Sequence, residues 1–155
     1  MNRRIAARAI IADGNKLFCV RQKHYTGRAV TEISDFWCTP GGGVDDREDL
    51  IKAIEREITE ELGIQPIIGN LLYVQQFAHK DTEHIEFFFH VTNTDDFRNI
   101  DLSKASHGDA EIAEYGFITS DSIAPLPILP TFLQSVSLAE DIAAGRTKLF
   151  NFTES

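Results

Sequence analysis

One segment, residues 46–63, limits the possible folds most, because it predicts a long amphipathic helix with carboxylates on its apolar side. Asp46 is the predicted N-cap, with Asp49 three residues later in the place of a capping-box glutamate, and Gly63 is the predicted C-terminal cap. At about 100° per residue, five aliphatic side chains share one arc that must face a core. These side chains are Leu50, Ile51, Ile54, Ile58 and Leu62.

Three glutamates late in this helix fit a solvated face poorly. Glu61 lies within the aliphatic arc, Glu57 at its edge, and Glu60 within one turn of both. Burying like-charged carboxylates costs hydration and adds repulsion, so a compensating positive charge is expected. Mg²⁺ would supply it, because this ion prefers oxygen ligands and is commonly held by a few carboxylates together with substrate phosphates. The spacing favours such a metal–phosphate site, and an acidic surface patch is the alternative.

The turn before the helix, residues 40–43, has the sequence Pro-Gly-Gly-Gly. Three consecutive glycines allow the backbone to approach a bulky or charged group closely. We therefore expect a backbone carbonyl of this turn to be a further candidate ligand.

Length, composition and charge exclude several classes of protein. The 155 residues suit one domain with its own core, and 43% of them are hydrophobic, which is typical of a globular chain. The net charge of −9 argues against extended nucleic acid as a partner, since such binders present a basic footprint. Cys19 and Cys38 form neither a disulfide framework nor a zinc motif. The start of the chain lacks the apolar core of a signal peptide, and no run approaches ~18 apolar residues, so we expect a cytoplasmic protein outside any membrane.

The remaining pattern predicts a mixed β-sheet covered by helices, an α/β fold. Two runs joined by Asp13-Gly14-Asn15 predict a β-hairpin, and a final helix is expected to begin near Pro130 and to end at Gly145. The apolar stripe of that helix comprises Phe132, Val136, Ala139 and Ala143. The predicted strands are residues 4–12, 16–22, 36–39, 67–79, 83–93 and 111–119, with a polar connection over 94–110.

A complete sequence motif covers the acidic helix and its glycine turn. Gly42, five residues, Glu48, seven residues and then REITEELGI match the Nudix box, GX5EX7REUXEEXGU, at every specified position. The chain resembles a Nudix hydrolase, and the similarity extends to WCTPGGGV before the motif and to LLYVQQF, HIEFFFHV and EYGFITSDSIAPLP after it. The resemblance implies one Nudix domain over residues 1–155, an α/β/α sandwich with a mixed β-sheet between helices. It also implies hydrolysis of a nucleoside diphosphate linked to a second moiety, X.

The resemblance also implies roles for residues of the motif. Glu57, Glu60 and Glu61 would be the metal ligands, with the carbonyl of Gly41 as a helper. Mg²⁺ is the implied cofactor, and Mn²⁺ is a possible substitute. In the same family pattern, Glu48 and Arg56 would mainly fix the geometry between the loop and the helix.

The general base is left open by the sequence. Glu111 and Glu114 rank first because they lie near a strand end from which they can reach inward. Asp109 and Glu86 are further candidates, and so are the motif residues Glu60 and Glu61. For any of the loop carboxylates, a solvated surface position is the competing interpretation.

Contacts with the substrate are predicted only in outline. Arg21 and Lys23 are candidates for binding phosphates, although edge-strand cations are usually solvated. Phe36, Trp37 and Tyr73 would stack on a base or fill the core. The histidines show no paired metal spacing and are interpreted as structural or surface residues: His24, His79, His84, His90 and His107.

The identity of X stays open among ADP-ribose, oxidised nucleoside triphosphates, nucleotide sugars and dinucleoside polyphosphates. The main alternative function is a nucleotide-sensing or protein-binding module that kept the fold and lost hydrolysis, although the motif here is not degenerate. The Phe-rich run HIEFFFHV is compatible either with a homodimer interface or with a buried core strand.

Overall fold

The computed structural model describes residues 2–119 and 126–154, with backbone alone for residues 151–154. The strands in this part of the chain are β1 (Asn2–Ile10), β2 (Ala12–Asp13), β3 (Lys16–Thr26), β4 (Ala29–Ile33), β5 (Trp37–Cys38), β6 (Gly41–Gly43), β7 (Ile68–His79), β8 (Thr82–Val91), β9 (Ile112–Ile118), β10 (Ile128–Leu129) and β11 (Lys148–Glu154). The α-helices are α1 (Leu50–Leu62), α2 (Gly108–Glu111) and α3 (Leu138–Ala144). Short 3-10 turns cover Thr94–Phe97, Leu102–Lys104 and Thr131–Gln134.

The strands form two mixed sheets. The first has the order β11-β7-β8-β1-β6, in which β8 pairs antiparallel with β7 and parallel with β1. The second is built on β3, which pairs antiparallel with β2, β4, β5 and β9, while β10 pairs parallel with β5. Strand β8 is enclosed between two neighbours and its Phe88 is fully buried, so the Phe-rich run belongs to the core.

Successive residues of β1 and β3 face opposite sides, and each side has its own apolar cluster. Ala9 and Phe18 pack with α1 in one cluster, whereas Ile10 and Leu17 pack with the Thr131–Gln134 turn and the start of α3 in the other. Helices therefore cover the sheets from both sides, and the α/β class is confirmed. None of the helices in the described residues is long and apolar enough to cross a membrane.

The predicted N-terminal hairpin is only partly correct. Two residue pairs close across Gly14, Ala12 with Leu17 and Asp13 with Lys16, but β1 leaves this hairpin and joins the other sheet. There it pairs with nine residues of β8 on one side and with the glycine strand β6 on the other. These long-range partners satisfy the backbone of β1 over its whole length, which two local residue pairs do not.

Helix α1 begins later than predicted. Its N-cap is Asp49, whose Oδ1 accepts a hydrogen bond from the Lys52 N–H at 2.8 Å, and the prediction of Asp46 is wrong. Arg47 has φ 62°, which is incompatible with a helix passing through that residue. Ile51, predicted to be buried, is 36% exposed. The C-terminal cap at Gly63 is confirmed, with φ 70° and its N–H donated to the Thr59 carbonyl.

The predicted C-terminal helix is also divided. A 3-10 turn forms first, Ser135 donates its hydroxyl hydrogen to the Phe132 carbonyl, and α3 begins only at Leu138. Such a local side-chain bond competes with helix continuation. The helix end at Gly145 is confirmed, with φ 66°. Residues 120–125 of the segment EYGFITSDSIAPLP lie outside the described residues.

Candidate active site

A buttress around Arg56 joins the glycine strand β6 to helix α1. The guanidinium donates two hydrogen bonds to Glu48, at 2.8 and 2.9 Å, and one to the carbonyl of Gly43 at 3.1 Å. Glu48 also accepts the Asp45 N–H at 3.1 Å. The bonds from Arg56, and then that backbone bond, lower the pKa of Glu48 to about 2. In the structure, Glu48 and Arg56 therefore link the loop after β6 to helix α1.

The same guanidinium holds two of the three predicted metal ligands. Its Nη1 lies 3.0 Å from Glu57 Oε1 and 3.5 Å from Glu60 Oε2. Glu57 also lies against the glycine strand, since a Cβ added to Gly42 would be 2.7 Å from its carboxylate carbon. The charges of Glu57 and Glu60 are thus partly neutralised by Arg56 in this arrangement.

Glu61 is the exceptional member of the cluster. It is 3% exposed, and its Oε2 is buried with no hydrogen-bond partner among the residues that the structure describes. Burial, followed by the charge of Glu57, raises the pKa of Glu61 to about 9. An orphaned carboxylate oxygen of this kind needs a cation or a proton, because buried polar groups are otherwise paired. The prediction that Glu61 turns toward the interior is confirmed.

The carboxylates fit a divalent cation by chemistry and burial. Within residues 2–119 and 126–150, however, no three His, Cys, Asp or Glu side chains already converge on a shared metal position. In this arrangement Arg56 engages the carboxylates of Glu57 and Glu60. Backbone geometry next to the cluster is also specialised, because Gly41 has φ 135° and a Cβ there would collide with the Ala7 carbonyl oxygen.

The segment before β9 lies against the C-terminal end of α1. The His107 N–H donates to the Glu60 carbonyl at 2.8 Å, and its ring Nδ1 lies 3.4 Å from Glu60 Oε2 and 3.8 Å from Glu111 Oε1. Helix α2 begins at Gly108, where a Cβ would lie 2.9 Å from the Glu61 carbonyl oxygen. This close approach brings Glu111 to the cluster. Its pKa is raised by burial and by the charges of Glu57 and Glu60, against the opposing effect of His107.

Glu114 and the two predicted phosphate-binding cations are engaged elsewhere. Arg21 Nη1 lies 2.6 Å from Glu114 Oε2, and its Nε donates to the Ser34 carbonyl at 2.9 Å. Lys23 donates to the Asp109 carbonyl at 2.6 Å. Of the four residues, none is drawn into the carboxylate cluster by a described hydrogen bond or ion pair. Glu111 is therefore the loop carboxylate that the structure places closest to the predicted role.

A cavity of about 500 Å³ has Arg4 in its lining, and Arg4 lies next to Gly43 of β6, whereas Glu57 lies next to Gly42. Its lining combines polar and apolar side chains and comprises Arg4, Arg8, Gln22, Phe36, Cys38, Gln75, Phe77, His79, His84, Glu86, Leu129, Pro130 and Thr131. Burial has the largest effect on the lining thiol Cys38 and raises its pKa. The charge of Arg8 has the next largest effect and lowers this pKa. The carboxylates of Glu61 and Glu86 also raise the pKa of this thiol.

The inner part of the cavity holds a buried ion pair. Arg8 Nε lies 3.0 Å from Glu86 Oε2, and Arg8 Nη1 donates to the Thr39 carbonyl at 2.9 Å. Gln75 is 5% exposed, and its Oε1 has no hydrogen-bond partner among the described residues. Such a surface is suited to a ligand that forms hydrogen bonds.

The three aromatic candidates for base stacking lie in different parts of the structure. Phe36 is half-buried and lines the cavity. Trp37 and Tyr73 belong to the core, and the Tyr73 hydroxyl donates to Asp141 at 2.6 Å. The competing interpretation of core packing therefore applies to two of them.

Several site residues were missed by the sequence reasoning. His107 was interpreted as a structural or surface residue, yet it lies beside Glu60 and Glu111. Arg8 was not identified, although a charged residue between alanines in an apolar strand is a detectable signal. His84, also interpreted as structural or surface, lines the cavity.

Comparison with known proteins supplies independent information. A family model described as NUDIX domain matches residues 2–135. Diphosphoinositol polyphosphate phosphohydrolase 2 from Rattus norvegicus is 36% identical over 61 residues, which cover 39% of this chain and 33% of the relative. Diphosphoinositol polyphosphate phosphohydrolase 3-alpha from Mus musculus is 36% identical over 61 residues, covering 39% and 37% respectively. The aligned part spans about a third of the length of these curated relatives.

Solved structures resemble the chain over most of its length. The E. coli ORF135 protein has a TM-score of 0.62 at 19% identity and covers 93% of this chain and 91% of its own. A MutT NUDIX hydrolase from Burkholderia pseudomallei has a TM-score of 0.66 at 19% identity, with coverages of 89% and 99%. A UDP-X diphosphatase has a TM-score of 0.66 at 21% identity, with coverages of 96% and 67%. At these identities the likeness shows the fold.

Proposed function

Because the chain belongs to the Nudix hydrolase family, we propose that it is a Mg²⁺-dependent pyrophosphohydrolase that cleaves a nucleoside diphosphate linked to a second moiety. Substrates of the ADP-ribose, nucleotide-sugar and nucleoside triphosphate types fit this description. The observation that carries the proposal is Glu61, whose buried Oε2 has no partner among the described residues while a second carboxylate, Glu57, raises its pKa. Burial at this cost is expected where a cation binds, and it is not expected on a solvated acidic surface.

Four groups would hold the ion or ions: the carboxylates of Glu57, Glu60 and Glu61, and the carbonyl of Gly41. Bound magnesium would screen the negative charge of the diphosphate and make water more acidic. Arg56 keeps Glu57 and Glu60 close to the glycine strand, and Glu48 fixes the guanidinium that does so. Residues of the chain itself thus hold these carboxylates beside the glycine strand.

Glu111 is the proposed proton acceptor. It shares the His107 imidazole with Glu60, so its carboxylate reaches the cluster without an ion pair of its own to a lysine or arginine in the described residues. Glu114 is less suited to the role, because Arg21 holds its carboxylate at 2.6 Å. A candidate base must be within hydrogen-bond reach of the attacking water. The contact of Glu111 with the His107 ring, which also contacts Glu60, supports the choice of Glu111.

The names of related proteins support the reaction class. The curated relatives are named phosphohydrolases and one structural neighbour is named a diphosphatase. The cavity beside the carboxylates has room for the organic part of such a substrate, and its lining offers hydrogen bonds from Arg8 and Gln75.

A substrate screen tests the proposal directly. The protein is incubated with a library of nucleoside diphosphate derivatives and either Mg²⁺ or Mn²⁺, and both products are identified by mass. Calorimetric titration with the same library separates turnover from binding alone. Tight binding without any product would favour the alternative of a nucleotide-sensing module.

A matched pair of helix variants isolates the role of Glu61. Glu61→Gln should lower kcat by at least about 100-fold, since metal stabilisation of transition-state charge is worth several kcal/mol. Glu55→Gln makes the same charge change on the same helix and should leave kcat unchanged. Mg²⁺ should raise the Tm of the wild type and of Glu55→Gln, but not of Glu61→Gln, because an ion that binds only the folded state stabilises it. Equal activity of both variants would refute the assignment.

A further inference from the structure

The cavity side of the first sheet is built as rows of side chains. Residues paired across β1, β8 and β7 stand next to each other, and every second residue of a strand faces the same side. From the inside outward the rows are Arg8, Phe88 and Tyr73, then Ala6, Glu86 and Gln75, then Arg4, His84 and Phe77. Each row therefore presents a different chemistry to a ligand in the cavity.

The positive charge in the inner row, Arg8, is paired with the negative charge in the middle row, Glu86. The guanidinium of Arg8 lies 3.0 Å from Glu86, and both side chains are largely removed from water. The outer row has a cation but no carboxylate. Within residues 2–119 and 126–150, Arg4 has no carboxylate at ion-pair distance, although the chain carries a net charge of −9.

His84 is held next to this cation. Its ring stacks on Phe77, with 4.6 Å between ring centroids and an interplanar angle of 5°. Burial lowers the pKa of His84 most. The charge of Glu86 opposes this effect, and the charge of Arg4 adds to it. The stacked imidazole has a ring N–H to donate.

Arg4 also lies close to the strand that supports the carboxylate cluster. A Cβ added to Gly43 would be 3.3 Å from Arg4 Nη2, whereas one added to Gly42 would meet Glu57. The two neighbouring glycines thus face opposite sides, with Arg4 on the cavity side. A substrate whose phosphates lie at the cluster and whose second moiety fills the cavity would place that moiety beside Arg4.

We propose that Arg4 and His84 form a subsite for an anionic group, a phosphate or a carboxylate, carried by the moiety X of the substrate. This inference rests on the proposed function and adds a substrate class to it: nucleoside diphosphate derivatives whose X has an acidic group of its own. A guanidinium binds both oxyanions in a forked geometry, and the stacked imidazole supplies a further donor whose orientation is already fixed. The diphosphate itself is assigned to the carboxylate cluster and its ions, not to this subsite.

Matched ligand pairs test the subsite by binding. UDP-glucose is compared with UDP-glucuronic acid for the carboxylate, and ADP-ribose with ADP-ribose 1″-phosphate for the phosphate. Dissociation constants are measured by calorimetry at pH 7 with Ca²⁺ in place of Mg²⁺, so that the readout does not depend on turnover. In at least one pair, the wild type should bind the acidic member about 10-fold more tightly or better, as expected for a hydrogen-bonded charge pair.

Two variants and one control locate the preference. Arg4→Gln should abolish it, and His84→Phe, which keeps the stacking and removes the donor, should reduce it by roughly fivefold. Arg3→Gln is the control, because Arg3 directly precedes Arg4 on β1 but does not line the cavity. Its guanidinium pairs with Glu83 at 2.8 Å. It should keep the full preference. Far-UV circular dichroism checks that all three variants are folded.

The outcomes separate this inference from the proposed function. A preference that disappears in Arg4→Gln, in a protein that hydrolyses no member of the substrate library, would support the subsite and refute the hydrolase assignment. Hydrolysis without any preference for the acidic ligands, or a preference that Arg4→Gln retains, would refute the subsite and leave the hydrolase assignment intact. The pair that shows the larger preference identifies the anion as phosphate or carboxylate.

Discussion

Two arginine–glutamate pairs connect β1 to β8, and they should contribute very differently to stability. Arg3 lies 2.8 Å from Glu83 with side-chain exposures of 62% and 23%, whereas Arg8 lies 3.0 Å from Glu86 with exposures of 15% and 7%. The residue types, the strands and the distances are nearly the same. A comparison of the two pairs therefore isolates the effect of burial on an ion pair.

Replacing Arg8 with Met keeps much of the side-chain volume but leaves the Glu86 carboxylate buried without its partner. Removing one member of a buried pair typically costs about 3–5 kcal/mol, while an exposed pair contributes about 0–1 kcal/mol. For a chain of this length, the Arg8→Met cost corresponds to a fall in Tm of roughly 6–20 °C. Arg3→Met should lower Tm by about 4 °C at most.

The assay is urea unfolding followed by circular dichroism, with EDTA present so that bound ions do not contribute. The double variant Arg8→Met with Glu86→Leu should recover most of the lost stability, because an apolar pair of similar size replaces a buried ion pair at little cost. Equal destabilisation by Arg8→Met and Arg3→Met, or no recovery in the double variant, would refute the reasoning from burial.

Three further predictions concern single side chains. Glu48→Gln should lower Tm at pH 7, and this difference from the wild type should shrink as the pH falls from about 4.5 toward about 2. The reason is that a carboxyl group with a lowered pKa stabilises the fold only while it is ionised. Thermal scans at several pH values measure the difference. Gly42→Ala should reduce kcat by about 10-fold or more with little change in Tm, because the new Cβ displaces the movable Glu57 carboxylate; kinetics and thermal scans together check this. Tyr73→Phe should cost about 1–3 kcal/mol in urea unfolding, since it removes a buried hydrogen bond to Asp141.

Local features of the chain were predictable because their causes are local. The helical period, the glycine at position 63 and the placement of Glu61 on the apolar arc all follow from residues within one helix. The start of the helix was misjudged by three residues, since both Asp46 and Asp49 have the side chain of an N-cap. The left-handed backbone of Arg47 decides between them, and such a conformation in arginine is unusual enough that the sequence gives no sign of it.

Long-range pairing was less predictable. The turn at Gly14 indicates a hairpin between β1 and β3. Instead, β1 pairs along its length with β8, more than 70 positions later in the chain. Nothing within the N-terminal segment distinguishes a strand that continues a hairpin from one that crosses to another sheet. Arg8 lies beside Glu86 because β1 pairs with β8. The ion pair between them was therefore unpredictable for the same reason.

The glycine strand β6 explains how the carboxylate cluster and the cavity lie so close together. Gly42 has Glu57 on one side, Gly43 has Arg4 on the other, and the backbone of Gly41 approaches Ala7 too closely for any side chain. A strand without side chains is only one backbone thick, so groups on its two sides approach more closely than they would across an ordinary strand. Glu57 thus lies on the helix side of this strand, and Arg4, which has no ion-pair partner among the described residues, lies on the cavity side. The net charge of −9 is therefore compatible with the proposed anionic substrate, because Arg4 gives the outer row of the cavity a local positive charge.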